Sequence, residues 1–177
     1  MNRTRDLLVR ALRRLGELAL EEGEKLEVCL YGGAVMMLAY DVRDMTKDVD
    51  AILHPSELGF KLARQVAGEL GLPEAWINDD VSQFLAPSGP TRPLPWDGPG
   101  IALTAPTAGY LLAMKALACR QALPGYQGDL DDLRFLITKM EISSVSEIQD
   151  HIDRYYPEDV ITREHATMLQ SLIGEPT

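Results

Sequence analysis

The sequence predicts a mixed α/β fold: a small mixed β-sheet with flanking helices, followed by a helical C-terminal half. Three observations predict it. An amphipathic helical period opens the chain; short β-favouring apolar runs then alternate with helical stretches as far as residue 104; beyond that point only helical periods follow. On this reading residues 1–105 form the α/β core with its N-terminal helix. Residues 106–177 form a helical part packed on that core, the whole making one compact unit.

The elements follow in order. Leu7, Leu8, Ala11, Leu12, Leu15, Leu18 and Ala19 recur at helical spacing, which predicts a helix over about 4–22 that stops at Gly23. Glu27–Tyr31 is short, apolar and β-favouring, a buried strand. Gly32 and Gly33 break it, and residues 34–40 read as a short helix. Val49–Leu53 is a second strand. Leu58, Leu62, Val66 and Leu70 predict a helix over 55–70, and residues 71–80 a turn with a short element carrying Trp76. The proline-rich, glycine-rich stretch 86–100 reads as a loop or irregular hairpin, because Ile101–Thr104 then supplies another strand. Pro106 is expected to start a helix reaching Leu123, and 129–140 forms the next. Ser144 with Glu147 is a capping box for a helix to Tyr156. Pro157 leads a last helix to about Ile173.

Composition narrows the function classes. The chain of 177 residues carries 17 Lys+Arg against 27 Asp+Glu, a net charge of -10. That balance argues against coating a nucleic acid through broad basic surfaces. The charge is uneven, since residues 1–14 hold five arginines and one acid. Those arginines are either a solvated helix face or a local site for a polyanion or an acidic partner. No apolar run nears the roughly 18 residues that span a bilayer, and the N-terminus lacks the pattern of a secretory signal. Cys29 and Cys119 sit in apolar stretches and read as buried thiols, so a cytoplasmic protein with no membrane partner is expected. His54, His151 and His165 are scattered, without metal-ligand spacing, and Trp76 and Trp96 read as packing anchors.

The informative stretch is Tyr31–Leu53. Gly32 and Gly33 lie between a strand and a helix, where a backbone without side chains approaches a phosphate closely. Asp48 and Asp50 flank Val49 at the start of a strand. Side chains at i and i+2 of a strand share a face, so two carboxylates converge while Val49 and Ala51 turn into packing. Close carboxylates repel unless a cation sits between them. Paired hard oxygens suit Mg²⁺, which typically takes its other ligands from water and substrate phosphates.

A glycine pair after a strand, a spacer, then Asp-X-Asp entering a strand resembles the nucleotidyltransferase (polymerase β-like) superfamily. The finer pattern of Gly32, Gly33, Ala34, Arg43, Thr46, Asp48 and Asp50 resembles its abortive-infection (AbiEii-type) toxin branch and related bacterial nucleotidyltransferases. Downstream, Lys115, Arg120, Asp129 and Asp132 match that branch's helix lysine, arginine and acidic segment, with Gly128 in place of a lysine. The resemblance covers about residues 25–160. It implies an Mg²⁺-dependent enzyme moving a nucleotidyl group from an NTP to a hydroxyl, with Mn²⁺ as a substitute metal. The acceptor it implies is an RNA end such as a tRNA terminus, a protein or a small molecule. It further implies a toxin with a cognate antitoxin. Asp48 and Asp50 would hold the metal, and Gly32 and Gly33 the triphosphate. Thr46 would add a hydroxyl. Arg43 is either a triphosphate contact or a salt-bridge partner of Asp41 or Asp44. Lys115 would neutralise phosphate charge, and Asp132 would orient it or act near the acceptor. Many family members place a third carboxylate on the next strand, and Ile101–Thr104 has none. A nucleotide- or partner-binding module without turnover is therefore the alternative.

Overall fold

A computed structural model describes residues 3–119 and 128–174. The chain divides into two compact units, one of residues 1–85 with 91–105, the other of 86–90 with 106–177.

The first unit opens with a two-residue strand, β1 (Arg3–Thr4), and α1 (Arg5–Glu21). It continues through β2 (Leu26–Leu30), α2 (Gly32–Leu38), β3 (Met45–Thr46), β4 (Val49–His54), α3 (Ser56–Leu70) and β5 (Ile77–Asn78). A 3₁₀ turn (Asp80–Phe84), β6 (Thr91–Pro93) and β7 (Ile101–Pro106) complete it. The sheet is mixed and five-stranded, ordered β5-β4-β2-β7-β6. Its centre is β2, antiparallel to β4 and parallel to β7. The expected mixed sheet with flanking helices is what the chain forms, and the irregular segment before β7 supplies its edge strand.

The amphipathic stripe of α1 does what its period predicts. Leu8, Leu12 and Leu15 are fully buried, and the helix packs against α3. Arg14 fastens the pair from outside, its Nε 2.6 Å from Glu69, with Glu17 and Glu21 also in reach. Trp76 is fully buried and donates its indole N–H to the Ala63 carbonyl at 2.9 Å, so it is the anchor the sequence suggests. Two details differ. Helix α2 begins on the glycines and ends at Leu38, because Ala34, Val35, Met36 and Met37 are all buried and bring the first turn against the sheet. Cys29 is half-buried, since it stands on the more open face of β2.

The second unit is helical: α4 (Ala108–Ala118), α5 (Gly128–Lys139), α6 (Val145–Tyr155) and α7 (Arg163–Leu172). Helix α4 packs against α5 and α6. It starts two residues after Pro106, because β7 extends to that proline, and Thr107 donates its N–H to the Pro90 carbonyl. The predicted extension of this helix to Leu123 lies partly outside the described residues. The last helix starts at Arg163, capped by Thr162, not at Pro157. Pro157 belongs to a turn closed by Asp159 N–H on the Tyr156 carbonyl. The capping box is shifted: Ser144 accepts from Glu147 N–H, but Glu147 reaches back to the N–H of Ser143. Tyr110 packs tilted against Tyr155 and stacks with Tyr156, at centroid distances of 5.0 and 6.1 Å. Burial, then the hydrogen bond to Tyr110, pushes the Tyr156 phenol well above its ordinary range. Burial likewise raises the Cys119 thiol, which is fully enclosed. No helix of the described residues is long and apolar enough to cross a membrane.

Candidate functional site

The strand register brings the glycines and the aspartates together. Leu30 faces Ala51 across the antiparallel pair, and the next rung is Tyr31 N–H on the Asp50 carbonyl at 2.8 Å. Gly32 follows Tyr31 directly and leaves the ladder beside Asp50. Residues 18 apart in the chain are thus neighbours because both flank one ladder.

The fit is close. A Cβ added at Gly32 would lie 2.6 Å from Asp50 Oδ2, and one at Gly33 would lie 2.7 Å from Thr46 Oγ1 and 3.1 Å from Arg43 Nη1. Any side chain there would displace the carboxylate, hydroxyl or guanidinium. Gly32 also has φ of +57°, in the left-handed region that favours glycine. The glycine pair therefore keeps one bare patch of backbone among a carboxylate, a hydroxyl and a cation.

Each predicted residue of this group has a definite place. Val49 and Ala51 are fully buried, Asp50 is half-buried and Asp48 is exposed at the mouth of β4. The alternation is the one that strand periodicity predicts. Thr46 is buried and donates its hydroxyl to the Asp48 carbonyl at 2.9 Å, so it fixes the turn that presents Asp48. Arg43 lies over Gly33, while Asp41 pairs with Arg5 at 3.4 Å.

Sequence reading missed three supports. The β1–β3 pairing sets Arg3 opposite Thr46 and so ties the start of the chain to the aspartate loop. Two-residue strands carry no periodic signal. Asn78 stands beside Asp50 in the β4–β5 register, its side chain accepting from Asp80 N–H. Thr104 stands beside Cys29, which pairs with Ile52, so Thr104 shares the sheet face of Asp50. That face of β7 carries a hydroxyl and no carboxylate.

The remaining predicted residues belong to the second unit and form a cluster of their own. Lys115 Nζ is 2.5 Å from Asp132 Oδ2 and 3.5 Å from Asp129. The Lys115 and Asp132 side chains are only 9% and 1% exposed. Helices α4 and α5 hold this pair, with Leu111, Leu112, Leu133 and Leu136 buried in the same helices. The orienting contact between Asp132 and Lys115 is present. Arg120 lies outside the described residues.

Asp50 beside the bare backbone, with Asp48 two residues before it at the start of the same strand, offers hard oxygen donors that fit Mg²⁺, which commonly takes one or two carboxylates and completes its shell with water and phosphate. Among the described residues, no three His, Cys, Asp or Glu side chains gather at one point. Asp48 and Asp50 would be the protein's share of such a site. No family model, no curated protein and no solved structure matches this chain.

Proposed function

We propose that the first unit carries the active centre of an Mg²⁺-dependent nucleotidyltransferase. It joins the α-phosphorus of an NTP to an acceptor hydroxyl and releases pyrophosphate. One observation carries this reading: the Gly32–Gly33 backbone is pressed bare against Asp50, Thr46 and Arg43. A sheet corner needing only a turn would not hold an acid, a hydroxyl and a base around that backbone.

The roles follow from the chemistry of each group. Gly32 and Gly33 give a triphosphate close access to backbone. Arg43 offsets its charge with a delocalised cation suited to phosphate oxygens. Thr46 holds the Asp48 turn in place. Asp48 and Asp50 would hold Mg²⁺, which would supply positive charge to offset that of the phosphates. The acceptor hydroxyl releases its proton to solvent water as it attacks, because Thr104, the residue of β7 on the face of Asp50, is too weak a base to take it.

Thr104 also favours a second reading, a module that binds a nucleotide or partner protein without turnover. Label transfer separates the two. Purified protein is incubated with each α-phosphate-labelled NTP, Mg²⁺ or Mn²⁺, and total RNA or protein as acceptor. Label should appear on an acceptor and vanish with Asp50→Asn. Nucleotide binding with no transfer in any combination would leave only the binding module. If the protein acts as a toxin, its expression should arrest growth, Asp50→Asn should relieve the arrest, and a cognate antitoxin should bind it.

A further inference from the structure

The first unit holds a second polar site, away from the glycines and unused by the reaction proposed above. A cavity of about 240 Å³ opens beside the N-terminal half of α1. Arg5, Val9 and Arg13 line it from the helix, where steps of four residues keep side chains on one stripe. Leu38, Leu94 and Trp96 close the other sides.

Contacts in and beside this cavity, linked through short stretches of chain, describe a ring of which Arg5, Arg13, Trp96 and Asp97 line the cavity itself. Arg5 pairs with Asp41 at 3.4 Å, and its chain neighbour Tyr40 lies under Arg92, 5.5 Å from guanidinium to ring centroid. Arg92 leads along the chain to Trp96, which lies under Arg13 at the same separation of 5.5 Å. Arg13 also meets Asp97 and returns the ring to α1. Three arginines and two aromatic rings alternate here against two aspartates, in a chain whose net charge is -10. Aromatic faces and guanidinium planes both stack on nucleobases, and arginine also binds phosphate. Both carboxylates that meet the arginines are exposed, and exposed ion pairs are weak enough for a ligand anion to exchange. The cavity is smaller than the roughly 300–1,000 Å³ typical of sites that enclose a drug-sized molecule. It admits part of one nucleotide, a base or its phosphate, and not a folded polyanion. An acidic peptide would use the arginines but leave both stacks idle.

We propose that this ring binds a base bearing a phosphate, supplied either by a free nucleotide or by the end of a single-stranded nucleic acid. The site stands on its own geometry and holds whether or not the glycine cradle catalyses transfer.

The test uses the full chain in EDTA, so that metal-dependent binding at the cradle does not contribute. Fluorescence anisotropy of a short labelled oligoadenylate is measured, with unlabelled AMP, oligoadenylate, ribose 5-phosphate and inorganic phosphate as competitors. Wild type should bind saturably, and Arg5→Ala/Arg13→Ala should bind at least about tenfold more weakly. Its melting temperature should stay near that of wild type, because both arginines are exposed at the surface. Trp96→Phe should keep most of the affinity and Trp96→Ala should lose it. Asp50→Asn should bind as wild type does. Competition by AMP identifies a free nucleotide as sufficient. Competition by the oligonucleotide alone identifies a strand end. The proposal is overturned if wild type does not bind, or if the arginine variant binds unchanged. It is equally overturned if phosphate competes as well as AMP, or if only Asp50→Asn loses binding.

Discussion

The two units each hold a pair of charged side chains, and they hold them in opposite surroundings. In the first, Asp48 is exposed and Asp50 is half-buried beside the bare backbone of Gly32. In the second, Lys115 and Asp132 are sealed among leucines and touch at 2.5 Å. Taking a charge out of water is costly, so a buried pair persists only when each partner compensates the other. An exposed carboxylate carries little of that cost and remains available for a ligand. Burial thus sets how much each charge depends on its partner.

The largest expected effect lies in the buried pair. Asp132→Ala leaves the buried Lys115 ammonium with only the more distant and more exposed Asp129, and should lower unfolding free energy by about 3 kcal/mol, read from urea denaturation. Replacing both residues, with Lys115→Met and Asp132→Leu, should restore most of that loss. If it does not, the pair is doing more than balancing charge. The open pair should behave the other way. Asp50→Asn should change unfolding free energy by less than about 1 kcal/mol. It should cut nucleotidyl transfer at least a hundredfold, about 2.7 kcal/mol in barrier. A large stability loss in that variant would erase the contrast between the units.

A smaller effect sharpens the picture within the second unit. The His151 Nδ1 is buried without a hydrogen-bond partner, and a Cβ at Gly109 would lie 2.9 Å from it. Burial, and to a lesser degree Arg154, holds its pKa below the ordinary 6.5. The folded state therefore favours the neutral ring. Above pH 6.5 both states are neutral and nothing is lost. As pH falls below 6.5 the unfolded chain takes up a proton first, and stability drops until the folded pKa is reached. Melting temperature measured from pH 7.5 to 5 should show this decline, and His151→Leu should flatten it.

The legible part of the fold was the part with a period. Helices α1 and α3 and strands β2 and β4 announce themselves because one face or both must be buried. What could not be read depends on partners far along the chain. Met45–Thr46 becomes a strand only because Arg3–Thr4 lies beside it, and Thr91–Pro93 only because β7 offers an edge. Pro157 misled because proline suits a turn as well as a first helical residue. At the site, the i, i+2 spacing of Asp48 and Asp50 was enough to put them on one face. Their meeting with Gly32 required the β2–β4 register, which no local pattern encodes. Thr46 read as a phosphate ligand because a hydroxyl near a glycine pair suits one, whereas its bond goes to the Asp48 carbonyl.

The central claim is that bare backbone at Gly33 is kept for a nucleotide's phosphates. Isothermal titration with a non-hydrolysable NTP and Mg²⁺ tests it most directly, because it needs no knowledge of the acceptor. Wild type should bind at one site. Gly33→Ala, whose added methyl meets Thr46 and Arg43, should bind at least about tenfold more weakly while its urea midpoint stays near that of wild type. Wild type that fails to bind any NTP, or Gly33→Ala that binds as tightly as wild type, would contradict the account.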